Sequence, residues 1–401
     1  MPLPLYSLAV AVFAMGTSEF MLAGLLPDIA ADLGVPIATA GLLTPAFAVG
    51  MAVGAPLMAA VARRWPRRSA LLVFLGLFLA AHVAGAVTGG FAVLLAGRVI
   101  AALACAGFLA VALTTAAALV PADRKGRALA VLLAGTTVAT VAGVPGGALL
   151  GTLLDWRATF WLVALLCLPS ALGVARGVPA GAGRSAEDAA GTDLRGELAR
   201  LRSPRLVQVL LLGALVNAAT FGAFTFLAPV VTDVAGLEPL WVPVALVLFG
   251  LGSFAGVTVA GRLSDRRPGV VVAAGGPLLL GGWAVLGLLA PSPSALLILA
   301  FTQGALSFAV GSTLIARVLY EAAGAPTMAG SYATAALNAG AVIGPVAAAA
   351  ALNTGAAALG PVWSAGVLVA VALVLALLFR GAVAGAPVRR PTRARGRSGW
   401  R

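Results

Sequence analysis

Two ionisable residues sit where a chain in hydrocarbon rarely tolerates them. Glu19 lies in the apolar stretch MGTSEFMLAGLLP (residues 15–27), and Arg98 lies in LLAGRVIAALACAG (residues 94–107). A charge at the centre of a membrane helix costs about 2.5 kcal/mol or more, so it is kept for function or for a partner of opposite sign. Glu19 is 8 residues before Pro27, and Arg98 is 7 residues after Phe91. On two helices running in opposite directions, both therefore reach a level about 10–12 Å below the same surface. Arginine favours the ionised carboxylate, whereas desolvation favours the protonated acid. A pair under those opposing influences can take up or release a proton when its surroundings change. A static structural ion pair is the alternative reading.

The elements that position this pair follow from composition. Of the 401 residues, 61% are hydrophobic and 10% charged, against about 25% charged in soluble domains. Apolar runs of the length that crosses a bilayer as a helix recur near residues 5–26, 38–61, 69–88, 91–117, 128–151, 158–175, 206–228, 240–261, 269–290, 294–317, 327–352 and 361–380. Nothing shows the ten-residue alternation of a membrane β-barrel. The expected fold class is therefore all-α integral membrane, with twelve transmembrane helices.

The net charge of +13 is confined to short loops and the tail. The second loop holds Arg63, Arg64, Arg67 and Arg68, the fourth Arg124, Lys125 and Arg127, and the eighth Arg262, Arg266 and Arg267. The first and seventh loops hold only acids, Asp28 and Asp32, then Asp233 and Glu238. This alternation places the even loops and both termini in the cytoplasm. Position thus argues for lipid rather than nucleic acid as the partner of the basic residues, including those of the tail VRRPTRARGRSGWR. The amino terminus lacks the charged region of a cleavable signal peptide. Usage rich in Ala, Gly and Arg points to a bacterial chain, and so to the inner membrane.

The chain is written twice. At an offset of 202 residues, Pro27 falls on Pro229, Gly50 and Gly54 on Gly252 and Gly256, and Arg64 and Pro66 on Arg266 and Pro268. Two six-helix bundles follow, over residues 1–175 and 206–380, with a linker at 176–205 and a basic tail at 381–401. Leu194, Leu198 and Leu201 give the linker an amphipathic pattern suited either to the membrane surface or to a solvated helix. Two such halves describe a secondary transporter whose site lies between them.

Other residues carry weaker signals. The fifth run, GTTVATVAGVPGGALLG, repeats Gly143, Gly147 and Gly151 on one helix face, which permits close helix approach, and Pro145 permits a bend. His82, the only histidine, reads as a buried neutral ring or a proton relay. Asn217, Gln303 and Asn338 could bond a substrate or simply each other, and Phe221, Phe224 and Phe226 could wall an aromatic ligand or pack. Met15 and Ala23, beside Glu19, are further cavity candidates. Arg317 and Glu321 are one turn apart, enough for a local pair. Cys105 and Cys167 fall within spans, which argues against a disulfide. Enzyme readings lack the inventory. Lys125, the only lysine, follows no phosphate-loop glycines, and one His with two distant Cys makes no zinc site.

The residues resemble a known family. GRLSDRRPG (261–269) is similar to the even-loop motif of the major facilitator superfamily, with Gly261, Asp265 and Arg266 in place. Its first-half copy, AAVARRWPRR, keeps Arg64 and Arg67 but has Arg63 where the family has Asp. The stretch around Arg98 resembles the family's fourth-helix motif, in which the Arg is tied to proton transfer. GVPGG, with Gly143, Pro145 and Gly147, resembles the antiporter motif of drug/proton exporters. The opening segment and DWRATFW extend the likeness to the 12-span drug/proton antiporters, closest to the actinobacterial chloramphenicol-resistance exporters. The resemblance implies proton-coupled efflux of a small amphipathic drug by alternating access. It implies no cofactor beyond the proton gradient, and action as a monomer. A sugar or metabolite exporter of the same fold, and a non-transporting sensor or scaffold, are the other readings.

Overall fold

The structure, a computed structural model, describes residues 2–62, 65–121, 124–179, 202–264, 268–322 and 329–378. Among these there is no strand, and 12 helices are long and apolar enough to cross a membrane. That is the form lipid dictates, since every backbone polar group must be satisfied within its own segment. In the first half the spans are α1 (Leu3–Phe20), α2 (Leu43–Ala62), α3 (Arg67–Val87), α4 (Phe91–Ala118), α5 and α6 (Trp156–Gly177). The α5 span runs Lys125–Val138, through a π turn at Ala139–Gly143, to Val144–Leu153. In the second half they are α7 (Pro204–Thr225), α8 (Trp241–Ser264), α9 (Pro268–Leu289), α10 (Pro293–Glu321), α11 (Ala329–Leu352) and α12 (Gly360–Leu378). The amphipathic linker pattern around Leu194 and the basic tail lie outside the described residues, as do Arg64, Asp265 and Arg266.

Two of the departures from the expected continuous helices lie beside a proline. The first run breaks after Phe20 into a 3-10 turn at Met21–Gly24, and a separate helix follows at Leu26–Asp32. Pro27 has no N–H to give to the Ala23 carbonyl and stands in the first turn of that following helix, where none is needed. In α5, Pro145 removes the bond to the Val141 carbonyl and the backbone widens into the π turn just before it.

Buried apolar side chains gather in two clusters, one for each half, while residues such as Val259 (64% exposed), Leu278 (61%) and Ile298 (67%) face outward. Outward aliphatic side chains of that size on many helices mark a lipid-facing surface. The halves also enter one another's cores. Phe226, Ala348 and Ala349 of the second half belong to the first cluster, and Ala23, Val144 and Ala148 of the first half to the second. Most of these lie toward the helix ends that join the odd-numbered loops. There Phe226 is fully buried and its ring fills the space where a Cβ on Gly41 would stand.

The internal repeat is a packing repeat. A Cβ on Gly50 would press on the Val99 carbonyl oxygen of α4 at 2.9 Å, and one on Gly252 would fall on the Phe301 carbonyl oxygen of α10. Gly54 likewise meets Leu103, and Gly256 meets Ala305. Each pair of partners is separated by the same 202 residues as the glycines. Gly252→Ala is therefore expected to force α8 from α10 and lower stability by about 1–3 kcal/mol. Gly281→Ala, with nothing within 4 Å of the new methyl, is expected to leave it unchanged or slightly raised. Thermal unfolding of the detergent-purified chain checks both.

Candidate functional site

Arg98 is 2% exposed on α4, and its contacts are built by the break in α1. A helix end leaves its last four carbonyls without intrahelical partners, and Ser18 belongs to that last turn. Arg98 Nη1 donates to the Ser18 carbonyl oxygen at 3.0 Å and to Ser18 Oγ at 2.9 Å, while Nε donates to the Leu43 carbonyl oxygen at 3.5 Å. The guanidinium stacks over the Phe47 ring, 4.4 Å from its centroid. A positive group at a helix C-terminus also meets the favourable end of the helix dipole.

The direct Glu19–Arg98 contact expected from depth alone is replaced by this arrangement. Among the described residues no ion pair joins the two, although Glu19 stays within electrostatic reach of the guanidinium. The reason is angular. Ser18 and Glu19 are successive residues about 100° apart on the helix, and it is Ser18 that faces α4.

The fifth-span glycines meet α1 rather than the opposite half. A Cβ on Gly143 would fall on Thr17 Oγ1, and one on Gly135 would press on the Ala9 carbonyl and on Phe13 N. Gly147 approaches Thr159 of α6 at 2.9 Å. The other side of α5 turns Thr140 and Val144 to a cavity between the halves. That cavity is walled by Phe20, Phe221, Phe224, Phe249 and Phe308, with Leu246 and Gly250. Its polar groups are Thr140, Thr220 and Ser253, and no charged side chain lines it. The rings form a continuous wall, with Phe20–Phe221 centroids 5.6 Å apart, Phe224–Phe249 4.9 Å and Phe249–Phe308 6.4 Å.

Residues 8–325 match the Major Facilitator Superfamily. The chain belongs to this superfamily of transporters. It is 70% identical, over 98% of its length and 100% of the relative's, to a chloramphenicol resistance protein of Streptomyces lividans. It is 32% identical, over 88% of its length and 89% of the relative's, to the inner membrane transport protein YdhP of Escherichia coli strain K12. Its fold matches that of a bacterial homologue of the human lysosomal transporter Spinster, solved inward-facing and unoccupied (TM-score 0.71, 18% identity, 95% of this chain and 96% of that one). It also matches a Glu-to-Gln point mutant of the peptide transporter POT in complex with sulfate (TM-score 0.74, 16% identity, 95% and 94%).

Within this major facilitator fold the candidate residues separate. Phe221 and Phe224 line the cavity. Met15, 1% exposed, packs in the first-half core, and Ala23 packs into the second half near the odd-loop closure. Asn217 donates to the Leu337 carbonyl at 2.7 Å and ties α7 to α11. Gln303 donates to the Leu279 carbonyl of α9 at 3.3 Å, and Asn338 to the Thr334 carbonyl of its own helix at 2.9 Å. None of these five lines the cavity. Arg317 and Glu321 pair locally at 3.1 Å. Gly261 lies in the last turn of α8, and Arg67, half-buried, opens α3. Phe20, Phe249 and Phe308 were missed in the sequence. Phe20 at least could have been suspected, since it directly follows Glu19.

DWRATFW forms a second charged centre, at the odd-loop face. Asp155 caps α6, accepting from Arg157 N at 3.2 Å. Arg157 pairs with Asp32 at 2.7 Å and Asp155 at 3.6 Å, and donates to the Thr88 carbonyl at 3.0 Å. Three chain segments are thereby tied together. Asp28 stands nearby, and partial burial together with the Asp155 charge holds its carboxyl above the usual carboxylate range. The folded protein thus binds that proton more tightly than the unfolded chain. The unfavourable contribution is present at neutral pH and is relieved as pH falls through the raised folded value. Asp28→Asn is expected to unfold at a higher temperature than the parent near pH 7. The difference should vanish toward about pH 4, as read by thermal melts across that range.

Proposed function

We propose that this major facilitator exports an uncharged, amphipathic, ring-bearing drug, chloramphenicol first among candidates, in exchange for protons. It does so as a monomer in the bacterial inner membrane, with both termini cytoplasmic. The observation that carries the reading is adjacency. Glu19, the partly buried mid-span carboxylate, is followed immediately by Phe20, whose ring walls the cavity. Proton and cargo are therefore sensed by one turn of α1. The 70% identity to a chloramphenicol resistance protein supports the choice of cargo, and the basic even-numbered loops support the orientation.

The cavity chemistry fits a neutral aromatic compound. Five phenylalanines offer stacking and apolar area, and three hydroxyls offer a few polar contacts. Two of them, on Thr220 and Ser253, donate to carbonyls of their own helices at 2.8 and 2.7 Å, leaving lone pairs for a ligand. A sugar would bring more hydroxyls than this wall can satisfy, and each one buried unpaired is unfavourable. A sensor or scaffold has no need of such a cavity between its halves.

In the cycle, the state sealed at the odd-loop face takes cargo from the cytoplasm, and the opposite seal releases it outside. Protonated Glu19 is neutral and tolerates closure around it. Deprotonation needs a cation, and Arg98 is the one within reach. Exchange of a neutral drug for a proton moves net charge. A membrane potential of 100 mV then contributes about 2.3 kcal/mol per proton, enough for roughly a fifty-fold cargo gradient.

Expression in a sensitive strain tests the reading. The parent chain is expected to raise chloramphenicol survival well above that for unrelated drugs, and Glu19→Gln to abolish the gain while still inserting. Undiminished resistance in Glu19→Gln would remove Glu19 from the mechanism. In proteoliposomes at fixed pH gradient, imposed membrane potential is expected to accelerate transport, and indifference to potential would rule out a charge-moving exchange with a neutral drug.

A further inference from the structure

His82 and Ser18 lie behind Arg98, away from the cavity wall, and form one directed chain of hydrogen bonds. His82 is 1% exposed on α3, held between the rings of Phe78 and Phe160 at 4.2 and 5.7 Å. Its Nδ1 is 2.7 Å from the Phe78 carbonyl oxygen. A carbonyl only accepts, so Nδ1 carries the hydrogen and the neutral ring presents a bare lone pair at Nε2. Ser18 Oγ lies 2.7 Å from that nitrogen and must donate to it. With its hydrogen committed, the Ser18 oxygen can only accept, and Arg98 Nη1 supplies the donor at 2.9 Å. Arginine never accepts. The direction of every bond is therefore set by the Phe78 carbonyl of α3.

The other terminal nitrogen of Arg98, Nη2, is buried and has no hydrogen-bond partner among the described residues. A buried charged donor left unpaired calls for an explanation. We propose that His82 and Ser18 are positioning residues: they anchor Arg98 through Nη1 and keep Nη2 free to receive the Glu19 carboxylate when that group loses its proton. The inference rests on Glu19 and Arg98 being the coupling pair. The titratable groups around this point are Glu19 on α1, His82 on α3, and Arg98 and Cys105 on α4, and the other three are each within electrostatic reach of Arg98. The α2 and α5 segments carry no titratable side chain at this depth, and α6 brings Phe160.

His82→Leu removes the acceptor that commits the Ser18 hydrogen, and Ser18→Ala removes the link. Either leaves Arg98 less well placed, so the Glu19 carboxylate is stabilised less and holds its proton to higher pH. In proteoliposomes loaded with the full-length chain and radiolabelled chloramphenicol, both variants are expected to shift the pH midpoint of proton-driven transport upward by about one unit, with the cargo KM unchanged. The double variant should shift no further than either single one, because the two residues act as one chain. Ser18→Thr, which keeps the hydroxyl, should restore the parent profile.

An unmoved midpoint in Ser18→Ala overturns the proposal, as does a change in KM alone. Should His82→Leu fail to fold, the comparison of Ser18→Ala with Ser18→Thr decides. Glu19→Gln in the same vesicles separates the two claims. If it abolishes coupling while Ser18→Ala leaves the midpoint in place, only the positioning role fails. If it transports normally, the coupling pair itself is wrong.

Discussion

The first half is organised around a buried guanidinium bound to the broken end of a helix. Arg98 is 2% exposed, and a cation in that setting is tolerable only if its donors are taken up. The break of α1 after Phe20 supplies the Ser18 carbonyl, the first turn of α2 supplies a longer contact at the Leu43 carbonyl, and Phe47 offers a ring face. The same break turns Phe20 toward the cavity and leaves Glu19 beside the cation without touching it.

The two halves share a scaffold and divide the chemistry. The glycine contacts of α2 on α4 recur between α8 and α10 in the 202-residue register, and Gly50 and Gly252 would strike carbonyls of matching residues. At that register the counterpart of Glu19 is Phe221, a cavity wall residue, and the counterpart of Arg98 is the buried Ala300. Backbone proximity is a matter of small residues at fixed spacing, and it survives while the side chains between those glycines diverge. One half carries the charges, and the other contributes four of the five rings.

Closure at the odd-loop face depends on reciprocal insertion. Phe226 is buried in the first cluster, and Ala23 with Ala148 in the second. Small residues let the backbones approach there, so the seal rests on packing and is independent of the charge site below it. The Arg157 cluster fixes the ends of the 26–32 helix, α3 and α6 to one another within the first half, which keeps the first-half part of that seal rigid as a unit.

The sequence by itself determined the twelve apolar spans, the doubled plan and the existence of two costly charges, because lipid penalises polar residues wherever they occur and the penalty is local. It also pointed to Phe221 and Phe224, and to the glycine face of α5. Its limits are equally physical. Depth along a helix is readable from residue count, but the direction in which a side chain points is set by the partner helix. That is why Glu19 and Arg98 share a level without forming a contact, and why Ser18 took the place assigned to Glu19. Asn217, Gln303 and Asn338 were polar enough to suit a ligand, yet each found a carbonyl nearer than the cavity. Only the tertiary structure could bring His82 to Ser18, 64 positions away, since hydrogen-bond direction is settled by groups that meet across helices and leave no periodic trace along the chain.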